Sequence, residues 1–150
     1  MAIDRTTIWP DFRATDILFE DEWLLIVNKP PYVPSQAKEA GEFDDLKSRV
    51  ERFIEARDGR APYIGVHQRL DKETSGVVLF TKSKEANGSI ANQFEKRTIK
   101  KEYVAAAEGW KGPPRTLNDL LEPGERGAMR IAKRRGPNAQ NAVTRVEVIE

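Results

Sequence analysis

Val66-His67-Gln68-Arg69-Leu70-Asp71-Lys72-Glu73-Thr74-Ser75-Gly76 runs without a break into the apolar block Val77-Val78-Leu79-Phe80. Polar side chains crowd the first half, and the second reads as a buried strand. A polar loop anchored on such a strand can hold a carboxylate rigidly, and Asp71 is the candidate. If the backbone there is extended, Arg69 and Asp71 stand at i and i+2 and project to one face. A guanidinium beside a carboxylate keeps it ionised and oriented. Ionised is the state a nucleophile needs, whereas a general acid needs a raised pKa. Thr74 and Ser75 supply short hydroxyls for local backbone bonds, and Gly76 permits a tight turn. The bland counterpart is a surface Arg–Asp pair in a polar turn.

Working outward, Trp23-Leu24-Leu25-Ile26-Val27 suits a buried strand stopped by the turn Asn28-Lys29-Pro30-Pro31. Lys29 there reads equally as a contact to a bound partner or a solvated turn lysine. Asp44 or Asp45 caps an expected helix with Leu46, Val50, Phe53 and Ile54 on its inner face, ended by Asp58-Gly59. Strands are expected at Tyr63–Val66, Gly76–Thr81 and Tyr103–Ala107. Between the last two, Ser83 caps a helix to about Arg97 with Ala86, Ile90, Ala91 and Phe94 as its buried stripe. Trp110 to Pro114 is turn-like, and Ala128–Ala132 and Ala142–Ile149 alternate with the period of half-buried strands. Two helices among about six strands, outside strict βαβ alternation, imply an α+β fold with a mixed, largely antiparallel sheet flanked by helices. The last strand pattern runs to Glu150, which suggests a chain truncated at its C-terminus.

The 150 residues are 39% hydrophobic and 33% charged, which is globular composition with a prior of one domain. With no cysteine and one histidine, His67, disulfides and thiolate metal sites are excluded and a zinc centre is not expected. No signal peptide or membrane helix is legible, so the expected location is the cytoplasm. Net charge is only +1, but it is segregated. Lys96, Arg97, Lys100 and Lys101 form one basic cluster; Arg126, Arg130, Lys133, Arg134 and Arg135 form another with no acid inside it. The acids gather at Asp16–Glu22 and Glu39–Asp45. Such segregation gives a phosphate-facing surface on a nearly neutral molecule, or two solvated basic loops. Trp9, Trp23 and Trp110 share no spacing and read as core or rim.

Arg69-Leu70-Asp71-Lys72-Glu73-Thr74-Ser75-Gly76 before an apolar strand resembles the catalytic motif of the RluA-type family of RNA pseudouridine synthases. Glu20 to Pro31 resembles the family's opening strand and Lys-Pro turn, Phe94 to Tyr103 its segment ending in Lys-x-Tyr, and Gln140 to Thr144 a later Ala-x-Thr strand. The resemblance runs in family order from about residue 17, which makes 1–16 an N-terminal extension and 17–150 the N-terminal, incomplete part of a pseudouridine synthase-like catalytic domain. It implies isomerisation of uridine to pseudouridine in ribosomal or transfer RNA, with Asp71 as the catalytic aspartate. It also implies that Arg69 holds that carboxylate or helps occupy the space left by an everted base. Tyr103 would lie against the uracil ring. RNA is the implied partner, held by Lys96, Arg97, Lys100, Lys101, Arg130, Lys133, Arg134 and Arg135; no cofactor or metal is implied, and a monomer is the default. On pattern alone Tyr103 would be core.

Two departures stand out. Relatives place His directly before Arg-Leu-Asp, where this chain has Gln68, so His67 is read as a hydrogen-bonded strand residue. The family's later Thr-Gly-Arg-x-His-Gln-like strand has no counterpart, so little turnover is expected from these 150 residues alone, and a non-catalytic RNA-binding fragment is the alternative. Asp71-x-x-Thr also faintly resembles aspartyl-phosphate enzymes, but Glu73 replaces their second Asp and the motif does not follow a first buried strand.

Overall fold

The computed structural model describes residues 11–36, 44–125 and 128–149. Trp9, Glu39, Glu42 and Arg126 lie outside the described residues. The chain divides into two compact units, Met1–Glu102 and Tyr103–Glu150.

In the first unit, strands β1 (Ile17–Glu20), β2 (Leu24–Lys29), β3 (Gly65–Val66) and β4 (Gly76–Thr81) form one sheet in the order β1-β2-β4-β3. Every pairing is antiparallel. The β2–β4 register sets Leu25 opposite Phe80, Val27 opposite Val78 and Lys29 opposite Gly76. Alternation therefore sends Leu25, Val27, Val78 and Phe80 to one face, where all four are fully buried. Helix α1 (Leu46–Asp58) covers that face with Leu46, Val50 and Ile54, and Phe53 packs against the same core. Full burial of each such side chain stabilises by roughly 1.5–3 kcal/mol. Asp45 is the cap: its carboxylate accepts the Ser48 amide at 2.8 Å. Gly59 ends the helix at φ 72°, in the left-handed region that glycine enters without strain.

Helix α2 (Lys84–Glu95) is capped by Ser83, whose hydroxyl accepts the Ala86 amide at 3.2 Å. The expected buried stripe is a correction. Ala86, Ile90 and Phe94 are only half-buried and Ala91 is exposed. The six-residue strand β4, the element that α2 chiefly contacts, is too small a surface to enclose a full helical face.

The second unit is a three-stranded antiparallel sheet, β6-β5-β7, from β5 (Arg115–Pro123), β6 (Met129–Ile131) and β7 (Gln140–Val146). Strand β5 is its centre and went unread, because Arg-Thr-Leu-Asn-Asp-Leu-Leu-Glu-Pro alternates poorly and ends in proline. Tyr103–Ala107 is the opposite correction. It forms no strand and is exposed throughout, since no described segment supplies it with a hydrogen-bonded partner. Strand β7 closes at Val146, opposite Arg115, so the premise of a strand running to the last residue does not hold. The α+β class stands, with all strand pairs among the described residues antiparallel.

Candidate functional site

Lys29 is the last residue of β2 and continues the inward phase of Leu25 and Val27, so its side chain enters the protein. It is completely buried. Its ammonium donates to the carbonyls of Pro30 at 3.0 Å, Val33 at 2.6 Å and Lys72 at 3.0 Å. Three N–H donors thus meet three backbone acceptors, the full capacity of the group. Lys29 is neither a solvated turn residue nor an RNA contact. It ties the Pro-rich turn after β2 to the residue following Asp71.

Ser35, also buried, ties the residue before Asp71. Its hydroxyl donates to the Leu70 carbonyl at 2.8 Å and accepts the Leu70 amide at 3.0 Å. The Leu70 side chain packs onto the core, and Arg69 and Asp71 on either side of it are exposed. Exposure thus alternates across residues 69–71, as it does for side chains on extended backbone. Beyond Asp71 the chain turns: the Thr74 amide donates to the Asp71 carbonyl at 3.1 Å. Gly76 returns it to β4 at φ 131°, a conformation L side chains rarely adopt. Gln68 adds a bond from its amide to the Val77 carbonyl at 3.2 Å. Asp71 is therefore outward-facing on a backbone pinned from beneath on both sides.

Among the described residues no ion pair joins Arg69 to Asp71. Lys29 feels the charges of both Glu73 and Asp71. Burial pushes its ammonium below the ordinary lysine range, and the negative charges of Glu73 and Asp71 partly oppose that fall. Sequence reasoning missed Lys29 and Ser35 as parts of the site. For Lys29 the signal was the period-two phase of β2; for Ser35 the sequence carried none, because its partner is a backbone group 35 positions away.

His67 is hydrogen-bonded, as expected. Its Nε2 lies 3.2 Å from both Thr81 Oγ1 and Asn87 Oδ1, and its ring stacks on Phe94 at 6.4 Å between centroids. Thr81 and Tyr63 also bond Asn87, so the cluster fastens α2 to β3 and β4.

The remaining candidates are exposed. Lys96, Arg97, Lys100 and Lys101 belong to the first unit, at and after the end of α2, where Arg97 takes φ 56°. Lys100 pairs with Glu102 at 2.6 Å. Arg130, Lys133, Arg134 and Arg135 belong to the second unit; Arg130 is paired with Glu122 at 2.9 Å, and Arg135 donates to Asn141 at 3.2 Å. Tyr103 begins the second unit and is 66% exposed, so the core reading of it is corrected. Trp23 is exposed, and Trp110 is half-buried with the Arg115 guanidinium 4.6 Å above its ring. No group of metal-ligating side chains occurs among the described residues, and no described helix is long and apolar enough to cross a membrane.

Residues 23–150 match a family profile described as RNA pseudouridylate synthase. The uncharacterized RNA pseudouridine synthase YhcT of Bacillus subtilis is 31% identical over 147 residues, 97% of this chain and 48% of that protein. Ribosomal large subunit pseudouridine synthase D of Neisseria meningitidis is 33% identical over 146 residues, 94% of this chain and 37% of that protein. The tRNA pseudouridine synthase C of Salmonella typhi is 35% identical over 96 residues, 63% of this chain. Among solved structures, human RNA pseudouridylate synthase domain containing 4 superposes with a TM-score of 0.63 at 20% identity, over 90% of this chain and 54% of that one. That likeness establishes the fold. The chain spans about half or less of the length of these curated relatives.

Proposed function

Because the chain belongs to the RNA pseudouridylate synthase family, we propose that it converts uridine to pseudouridine in RNA with Asp71 as the catalytic carboxylate. The observation that carries this reading is the double anchoring of Asp71, through Ser35 on Leu70 and Lys29 on Lys72, under an exposed side chain. Rigid placement of a reacting group is worth several kcal/mol of barrier.

In the reaction the C1′–N1 bond of uridine breaks, a C1′–C5 bond forms, C5 loses its proton and N1 gains one. Atoms and electrons balance within the nucleotide, so no cofactor is required. Arg69, unpaired with Asp71 and on the same face, suits the space vacated by the everted base better than it suits orientation of the carboxylate. Tyr103 offers a ring face and hydroxyl to uracil. Turning a base out of RNA costs a few kcal/mol, which phosphate contacts offset. Lys96, Arg97, Lys100 and Lys101 in one unit and Lys133, Arg134 and Arg135 in the other are the proposed contacts, with Arg130 weakened by its tie to Glu122. The relatives' names divide between large-subunit ribosomal RNA and transfer RNA, and either is a proposed substrate here. Residues 17–150 would form the N-terminal part of one catalytic domain, in a monomeric and cytoplasmic protein.

The test is tritium release from RNA carrying [5-³H]uridine, run beside RNA binding. Release and binding together support the synthase reading. Binding without release supports the second reading, a chain that recognises RNA but does not turn it over, which the coverage of the relatives favours for these 150 residues alone. Absence of both defeats both.

A further inference from the structure

Strand β3 pairs with β4 through Gly65 opposite Thr81 and Val66 opposite Phe80, and there it stops. Continued in the same register, the ladder would bring Arg69 opposite Val77. A strand in that place would meet the Val77 carbonyl with a backbone amide. The chain does otherwise. Ser35 engages both the amide and the carbonyl of Leu70, and Gln68 reaches across with its side-chain amide to the Val77 carbonyl at 3.2 Å. A carboxamide N–H is a donor of the same kind as a backbone N–H. Gln68 thus stands in for the absent rung, and the backbone parts from β4 without stranding that carbonyl. On the other side of β4 the pairing goes on, with Val77 opposite Asn28 and Gly76 opposite Lys29.

The direction of this tether sets it apart from the other two. Those on Leu70 and Lys72 run to Ser35 and Lys29, at the end of β2 and in the turn that follows. Two ties to one neighbouring segment leave a loop free to hinge about it. A third, to the strand into which the loop returns, removes that freedom. We propose that Gln68 is a positioning residue for Asp71: its bond to the Val77 carbonyl fixes the angle at which the 69–75 loop leaves the sheet. This rests on the synthase reading above. The bond lies at the surface, beside an exposed Val77, so water replaces it when it is lost. Its loss therefore shifts the carboxylate more than it weakens the fold.

The test compares the protein translated from its whole reading frame with Gln68→Met and Gln68→His. Methionine keeps the length and removes the donor; histidine puts a ring N–H the same number of bonds from the backbone. Tritium release from [5-³H]uridine RNA gives kcat and KM, and amide exchange reports on residues 69–75. Gln68→Met should lower kcat roughly tenfold to a hundredfold, as a displacement of about 1 Å does, with KM within about twofold. Loop exchange should accelerate while the melting temperature stays near its original value. Gln68→His should recover most of the lost kcat and of the protection. Unchanged kcat and exchange in Gln68→Met would overturn the inference. So would a rise in KM alone, which would make Gln68 an RNA contact, or a large fall in melting temperature, which would make it structural. Failure of histidine to restore kcat would also overturn it, since the donor would not be the cause. No release by the unaltered protein would instead bring down the synthase reading, and the exchange rates would still decide whether Gln68 holds the loop.

Discussion

A lysine at the end of β2 spends its charge on three backbone carbonyls and never reaches solvent. The arrangement is asymmetric: burial disfavours the ammonium, and the nearby Glu73 and Asp71 carboxylates restore part of what burial removes. The folded pKa is depressed, so the unfolded chain holds this proton more tightly, and stability attributable to the group rises as pH climbs toward the ordinary 10.5. At neutral pH the hydrogen bonds decide. Lys29→Met keeps the apolar stem but strands three carbonyls, and should cost about 3 kcal/mol in urea unfolding. Amide exchange in the 71–75 turn should accelerate in the same variant, because Lys72 loses its tether. Exchange unchanged there, with stability lost, would assign Lys29 to the fold and not to the placement of Asp71. This residue was legible in principle, since Leu25, Val27 and Lys29 share a strand face, but the following Pro-Pro made the segment read as a turn.

Element by element, legibility followed local chemistry. Helices α1 and α2 announced themselves through Asp45, Gly59 and Ser83, whose capping roles depend on neighbours three or four residues away. Strand β4 was found whole because its apolar run starts at a glycine that the backbone requires. Strand β5 was not, because it is defined by pairing with β6 and β7 and not by its own alternation. Tyr103–Ala107 had strand-like composition and no partner strand among the described residues. The short strand β3 exists by close approach: a Cβ at Gly65 would collide with Thr81 Oγ1 and come within 2.6 Å of Asn87 Oδ1. Gly65→Ala should therefore separate β3 from β4 and disrupt the His67–Thr81–Asn87 cluster. A loss of about 1–3 kcal/mol is expected, with faster amide exchange in α2 as the local signature. Unchanged stability would show that the cluster does not hold α2.

At the scale of the whole molecule, charge does two separate jobs. Glu20 is locked by Arg57 through two bonds of 2.7 and 2.8 Å and by Lys82 at 2.7 Å. The Arg57 hydrogen bonds, reinforced by Lys82 and opposed by partial burial, lower its carboxyl from 4.5 to about 2. The unfolded chain takes up this proton first, so the stabilisation is present above pH 4.5 and is lost as pH falls toward 2. Glu20→Gln should flatten the stability–pH curve across that window and leave its shape near neutrality unchanged; an unaltered acid limb would refute the assignment. The basic clusters were legible as runs, although pairing was not: Arg130 is engaged by Glu122, while no described ion pair holds Lys133 or Arg134. Lys133→Ala and Arg134→Ala should each reduce the slope of log affinity against log salt by about 0.7 for single-stranded RNA, and Arg130→Ala by less. Equal slopes in all three would remove the second-unit cluster from the RNA surface. The anchored carboxylate remains the centre of the account. The most direct measurement is tritium release from [5-³H]uridine RNA by the protein translated from its whole reading frame, compared with Asp71→Asn and Asp71→Ala. Release by the unaltered protein and none by either variant, with RNA binding within about twofold of the original, is the result expected. Full turnover by Asp71→Ala would contradict it.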